Sequence, residues 1–196
     1  TRTLLQGLPK LRFISLFGSC PHIDIQACSD HGVLVCAGKR SNAPSFAAAE
    51  HTWALIMAAA KNIPQQMQNL QNGIWQQGLA RGLFGRRLGL YGYGRIAKQV
   101  ADYAKAFNMQ VEWWGSEQGR ARAKTDGRAV ARSRATFFAE NDIVSVHLRL
   151  TSATKGVITA ADLGKMKSDS LFVNTSRSGL LGSDVLLNAL NSGQPG

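Results

Sequence analysis

Two stretches of this chain carry residues whose types and spacing suit chemistry. One is Leu88-Gly89-Leu90-Tyr91-Gly92-Tyr93-Gly94-Arg95-Ile96-Ala97, an apolar run that breaks at glycine and continues into helix-forming residues. The other is Val173-Asn174-Thr175-Ser176-Arg177, a short apolar run ending in an amide, two hydroxyls and a guanidinium. In the first stretch Gly92 permits a tight turn out of a strand, Gly94 lets phosphates approach the backbone, and Ala97 is small enough for a helix to pack on the sheet. A helix opening at Arg95 offers N–H groups and a partial positive charge to an anion. The diphosphate of a dinucleotide fits such a turn, held by Gly92, Tyr93, Gly94, Arg95 and Ile96. In the second stretch Arg177 is a cation with a rigid fork of donors that keeps its charge near neutral pH.

Both stretches need a strand behind them, and the pattern around them supplies one. Apolar strand candidates fall at 11–16, 33–36, 88–91, 111–114, 143–148 and 171–173. Helical patterns fall at 45–61, with Ser45 as N-cap, then after Pro64 with Met67, Leu70 and Ile74 on one face. Further helices are expected at 95–107, with Ile96, Val100, Tyr103 and Phe107 in one stripe, and at 117–124, 159–167 and 183–191. Asn62-Ile63 is expected to leave the helical region before Pro64. Strands that read as continuous apolar runs and alternate with helices indicate a parallel sheet covered on both faces. The fold class expected is α/β. It comprises a Rossmann doubly wound sheet over 64–196 and a smaller, partial flavodoxin-like substrate domain over 1–63, joined by the long helix.

The strand at 111–114 bears on the choice of dinucleotide. An NAD site usually places an acid at this strand end, about 20 residues past the glycines, to hold the ribose 2′-hydroxyl. Here Gly115 takes the place and Ser116 follows. Glu117 comes two residues late, and then Arg120, Arg122, Lys124, Arg128, Arg132 and Arg134. Small, hydroxyl-bearing and cationic groups favour a 2′-phosphate, so the reading is NAD or NADP with NADP preferred.

Several motifs together resemble one family, the D-isomer-specific 2-hydroxyacid dehydrogenases, and span nearly the whole chain in that family's order. They are His22-Ile23-Asp24, Ala49-Glu50-His51-Thr52, residues 82–97, Ser145-Val146-His147-Leu148, Met166-Lys167, and Val173-Asn174-Thr175-Ser176-Arg177. The resemblance implies an oxidoreductase that moves hydride between a nicotinamide cofactor and a 2-oxo acid or D-2-hydroxy acid. Arg177 would hold the substrate's carboxylate and carbonyl oxygen. Backbone N–H groups of the loop at Gly18 and Ser19 would also hold the carboxylate. Gly115, Ser116, His147, Thr175 and Ser176 would complete the cofactor-binding set, and the family implies a homodimer. The chain departs from the pattern at Ser19 and Ser178, which stand where glycine is usual, and at Arg149, which stands where proline is common. The family also implies a general-acid histidine downstream of Arg177, whereas His22, His31, His51 and His147 all precede it. A fragment that binds cofactor without normal turnover is therefore expected.

Composition narrows the rest. Apolar residues make up 44% of the chain, enough for a packed core. No apolar stretch of about 18 residues exists and no secretory leader opens the chain, so the cytoplasm is expected and a membrane is not. Cys20, Cys28 and Cys36 lack metal or disulfide spacing, so neither a zinc site nor a disulfide framework is expected. A net charge of +11 permits an acidic partner. No helix-turn-helix or aromatic RNA-binding signature accompanies it, so nucleic acid is not expected. Two rivals are a non-enzymatic NAD(H)-binding regulator of the co-repressor type, and another Rossmann enzyme such as alanine dehydrogenase or adenosylhomocysteine hydrolase. The Asn174-Thr175-Ser176-Arg177 segment weighs against the latter.

Overall fold

The structure, a computed structural model, describes residues 2–16, 22–38 and 46–195. By packing the chain divides into two compact units, Thr1–Ala43 and Pro44–Gly196. The first contains helix α1 (Arg2–Gln6), strand β1 (Phe13–Leu16), helix α2 (Ile25–Asp30) and strand β2 (Leu34–Ala37). The strands pair in parallel, Phe13 opposite Leu34. Asp24 starts α2 by accepting the Ala27 N–H at 2.9 Å, and Leu5, Ala27, Cys28 and Val33 form a small core. The expected carboxylate-binding residues Gly18 and Ser19, and the expected cap Ser45, lie outside the described residues.

The second unit opens with helices α3 (Phe46–Ala60) and α4 (Ile63–Gln71). Lys61 and Asn62 make the break between them, with Asn62 in the left-handed region at φ 51°. Ile63 is already helical, a correction to the expected exit, and Pro64 sits in the first turn of α4. There its missing N–H leaves no bond unmade. Strand β3 (Arg87–Tyr91), helix α5 (Arg95–Ala106), strand β4 (Gln110–Trp114) and helix α6 (Glu117–Thr125) follow. Then come helix α7 (Arg134–Glu140), strand β5 (Ile143–Val146), helix α8 (Ala160–Leu163), strand β6 (Leu171–Asn174), a 3-10 turn (Ser178–Leu180) and helix α9 (Val185–Asn191).

The sheet runs β4-β3-β5-β6 and every neighbouring pair is parallel. Leu88, Leu90, Val144 and Val146 are fully buried, as expected of strands covered on both faces. Helix α3 packs in this unit. Its stripe Ala49, Trp53, Ile56 and Ala60 shares one core with Leu88, Leu90, Val100 and Trp113. The long helix therefore belongs, by packing, with the glycine turn, and the unit boundary falls before it, not at residue 63 as the sequence pattern suggests.

Trp53 anchors α3. Its ring stacks on Phe107 at 4.8 Å and 15°, and its indole N–H donates to the Val100 carbonyl at 3.0 Å. Helix α7 is not announced by the sequence pattern, in which Arg132 and Arg134 belong to a basic run. Ser133 and Thr136 start it with reciprocal side-chain-to-backbone bonds of 3.0 and 3.1 Å, and Phe137 and Phe138 bury completely beneath it. Among the described residues no helix is long and apolar enough to cross a membrane.

The packing of Trp53 has a measurable consequence. Trp53→Ala is expected to cost about 3–5 kcal/mol of stability in urea unfolding. Phe107→Ala removes a ring that is 37% exposed and is expected to cost clearly less.

Candidate cofactor-binding site

Because the strands are parallel, their carboxyl ends lie together at one end of the sheet. Gly92 follows β3, Gly115 follows β4, His147 follows β5, and Thr175 to Arg177 follow β6. Strand β3 lies between β4 and β5, so the order of connection reverses beside Gly92. Ligands of open α/β sheets bind at such a point.

The glycine turn is held from both sides. The Gly92 N–H donates to the Trp114 carbonyl at 2.8 Å, and the His147 N–H donates to the Tyr91 carbonyl at 2.9 Å. Gly92 has φ +117°, and a Cβ there would lie 2.5 Å from the backbone oxygen of His147. Only glycine fits this approach. Gly94 differs. Its φ of −113° and ψ of 179° suit any residue, and a Cβ there would meet nothing within 4 Å. The space is open and stands before the N-terminus of α5, whose first intrahelical bond runs from Lys98 N–H to the Gly94 carbonyl at 3.0 Å. A diphosphate fits this cradle, and the space it needs is the space a side chain at 94 would take.

The Tyr93 and Ile96 side chains face elsewhere. Tyr93 is buried, its ring edge-on to Trp113 at 4.7 Å, and its hydroxyl donates to Asp126. Ile96 is half-buried against the core. What these residues offer a ligand is therefore backbone.

At the end of β4, Gly115 stands with its Cβ position 3.6 Å from the Gly92 backbone. Ser116 is exposed and caps α6 by accepting the Gly119 N–H at 3.2 Å. The Arg120 guanidinium lies 4.3 Å over the Trp114 ring and donates to the Gly115 carbonyl at 2.5 Å. Arg122 and Lys124 are exposed in the last turn of α6. Arg134 leaves the basic run. It makes a two-pronged pair with Asp162 at 2.6 and 2.7 Å and also donates to the Val157 carbonyl. That pair holds the Asp162 carboxyl below its ordinary pKa against the effect of burial.

At the end of β5, His147 Nε2 lies 2.9 Å from the hydroxyl of Ser145, which is fully buried. Burial lowers the pKa of His147 from 6.5 to about 4, so the ring is neutral at pH 7. At the end of β6, Asn174 organises the next three residues. Its side-chain oxygen accepts the Ser176 N–H at 3.0 Å, and its amide donates to the Arg177 carbonyl at 2.9 Å. The Ser176 hydroxyl donates to the Val146 carbonyl at 2.9 Å, tying this segment to β5. Thr175 meets Thr52 of α3 at 2.9 Å. Thr52 already donates to the Ala48 carbonyl, which leaves Thr175 as the donor. The Arg177 guanidinium is exposed and donates to the Ser176 carbonyl at 2.7 Å. Among the described residues no group of His, Cys, Asp or Glu could hold a metal ion.

The family model described as the D-isomer specific 2-hydroxyacid dehydrogenase NAD binding domain matches residues 53–196. The chain belongs to the D-isomer specific 2-hydroxyacid dehydrogenase family. A D-3-phosphoglycerate dehydrogenase of Methanocaldococcus jannaschii is 32% identical over 99% of this chain and 37% of its own length. A hydroxypyruvate reductase of Thermotoga maritima is 30% identical over 99% of this chain and 62% of its own length. The crystal structure of an oxidoreductase from Ralstonia solanacearum superposes with a TM-score of 0.93 at 47% identity, covering all of this chain and 61% of that one. The chain thus spans between about a third and two thirds of the length of these dehydrogenase relatives. The dehydrogenase match begins at Trp53, inside α3, in keeping with that helix packing on the glycine-turn unit.

Several contacts around the glycine turn and the end of β6 have no counterpart in the local sequence pattern. Asp126 and Lys98 meet Tyr93 from 33 and 5 residues away, and Thr52 meets Thr175 across 123 residues. No local pattern announces such pairs; the motif Ala49-Glu50-His51-Thr52 by itself gives Thr52 no role.

The neutral His147 sets a pH dependence. Its folded pKa lies below its unfolded value, so the unfolded chain binds the extra proton between about pH 6.5 and pH 4. Stability present above pH 6.5 is lost as pH falls through that window, by up to about 3 kcal/mol. In His147→Gln the fall in Tm across this window should flatten. The acid loss at lower pH, which the lowered Asp142 and Asp162 carboxyls contribute, should remain.

Proposed function

We propose that the protein is an NAD(P)-dependent oxidoreductase acting on a small 2-oxo acid and its D-2-hydroxy acid. The observation that carries this reading is the open space before α5 at Gly94, at the same end of the parallel sheet as the exposed guanidinium of Arg177. When bound, a nicotinamide dinucleotide supplies or accepts the hydride. Gly92 shapes the turn with its own N–H held by Trp114, and backbone N–H groups from Tyr93 to Ile96 hold the diphosphate, with Gly115 and Ser116 at the ribose and the segments at His147, Thr175 and Ser176 lining the way to the sheet's far edge. Arg177 binds the substrate carboxylate, polarises the carbonyl oxygen and orients the acceptor carbon. Asn174 and Ser176 keep the backbone of Arg177 in place while its side chain reaches out.

A proton must reach the carbonyl oxygen as hydride arrives, and its donor needs a pKa near the working pH. His147 does not serve, because its ring is neutral at pH 7. We propose that residues 1–196 bind cofactor without normal turnover.

We further propose NADP as the preferred dinucleotide. Ser116, Arg120 and Arg122 supply hydroxyl and cationic groups, and no acid occupies position 115. The working assembly is a homodimer. Helix α4 buries none of its residues, and Met67, Leu70, Ile74 and Trp75 present an apolar patch on α4 and the chain after it, Trp75 being 71% exposed. The described free thiols, Cys28 and Cys36, suit the reducing cytoplasm.

Two measurements test this reading. Titration followed by tryptophan fluorescence should saturate with NADPH and with NADH, NADPH binding more tightly; tighter NADH binding refutes the preference. In the same titration Gly94→Ala should lose about tenfold or more in affinity with Tm almost unchanged, since its Cβ meets no protein atom. Gly92→Ala should lose both affinity and stability, the latter by about 1–3 kcal/mol for the strained backbone. Sedimentation velocity should give a dimer, and Leu70→Lys combined with Trp75→Lys should give a folded monomer.

A further inference from the structure

Tyr93 stands between the two glycines that shape the turn, yet its side chain points away from the space in front of α5. It runs along α6. Its Cβ lies 3.8 Å from where a side chain at Gly119 would begin, and its hydroxyl reaches Asp126, the C-cap of that helix. Lys98, in the first turn of α5, donates to the same Asp126 oxygen at 2.8 Å. The Lys98 ammonium also lies 4.3 Å over the Tyr93 ring. Asp126 is itself positioned by its backbone N–H, which donates to the Arg122 carbonyl at 3.0 Å.

Three elements that are separate in sequence therefore converge on one carboxylate: the glycine turn, the start of α5 and the end of α6. We propose that Tyr93, Asp126 and Lys98 form a positioning clamp that holds the glycine turn at the spacing a dinucleotide's diphosphate requires. The inference rests on the dinucleotide reading of the turn. Gly92 and Gly94 have no side chains of their own, so the turn has no side-chain anchor at either position. Tyr93 is the anchor between them, and the clamp fixes it at both ends of its ring. The buried edge against Trp113 holds one side, and the Asp126–Lys98 pair closes over the other.

Both pair partners are exposed, so their contribution to global stability is small. Their effect falls on local geometry, where a misplacement of a fraction of an ångström in the opening N–H groups weakens several hydrogen bonds to one ligand together. Lys98 does double duty here: pairing with Asp126 fixes its charge in the first turn of α5.

The test titrates NADH, ADP-ribose and adenosine into the 196-residue chain and the variants Tyr93→Phe, Asp126→Asn and Asp126→Ala, with Tm measured alongside. Tyr93→Phe keeps the ring and loses the hydroxyl bond alone. If the clamp acts on the diphosphate, Asp126→Ala should raise the Kd of NADH and ADP-ribose about tenfold, the scale of one lost charge-assisted hydrogen bond. Tyr93→Phe should do so by a smaller factor, Asp126→Asn should recover part of the loss, and adenosine binding and Tm should hardly move. Variants that bind NADH and ADP-ribose as the parent does overturn the clamp while leaving the dinucleotide reading intact. So does a loss shared equally by adenosine and matched by a fall in Tm, which marks a structural role only. A parent chain that binds neither NADH nor ADP-ribose overturns the dinucleotide reading itself, and the clamp with it.

Discussion

The contact between the Gly92 backbone and the carbonyl of His147 is the constraint on which the site depends. It brings the chain leaving β3 to within touching distance of the chain leaving β5, at the position where the sheet's connections reverse. A side chain at 92 would put a carbon 2.5 Å from that carbonyl oxygen, so the approach exists only with glycine. The reciprocal bonds around it, from Gly92 to Trp114 and from His147 to Tyr91, extend the ladders of β3 with β4 and β5 by one step beyond the strands. The start of α5 is thereby aimed at the mouth of the crevice.

Around that contact the polar groups sort into those that hold and those that are left to bind. Ser145, Ser176, Thr52 and Asn174 are occupied within the protein, and the Ser176 bond to Val146 fixes the ends of β5 and β6 relative to one another. Arg134 and Asp162 close a pair that staples α7 to α8, and a paired cation of this kind contributes more to shape than to ligand charge. The opening N–H groups of α5 stand at the surface of the same end of the sheet, beside the exposed Ser116 and Arg177, each of which makes one bond to nearby backbone. This division lets a site made largely of backbone remain rigid, which favours binding by reducing the freedom lost when a ligand arrives.

His147 illustrates how the same residue can suggest two roles until its surroundings are known. As a letter beside a strand it is a possible acid or a cofactor contact. In place, desolvation removes its charge at neutral pH and it serves as a neutral hydrogen-bonding partner to Ser145. Its contribution to the site is the position of its backbone against Gly92.

What the sequence determined by itself was local. A strand, a glycine turn and a helix are specified by residues within about ten positions, through apolar runs, missing Cβ atoms and caps, and these placed Gly92, Gly94, Gly115 and Arg177 at strand ends that the structure also has. The parallel sheet was legible for the same reason, since burial on both faces leaves a continuous apolar run. Tertiary structure alone decided the rest. Helix α3 packs with the glycine-turn unit because the stripe Ala49, Trp53, Ile56 and Ala60 meets a core built by β3, β4 and α5. Arg134 turned from a candidate phosphate ligand into the partner of Asp162, and Tyr93 into an anchor on Asp126, because those partners lie 28 and 33 residues away. Charge, burial and hydrogen bonding at such distances depend on which surfaces the fold brings together, and nothing in a linear window of residue types encodes that.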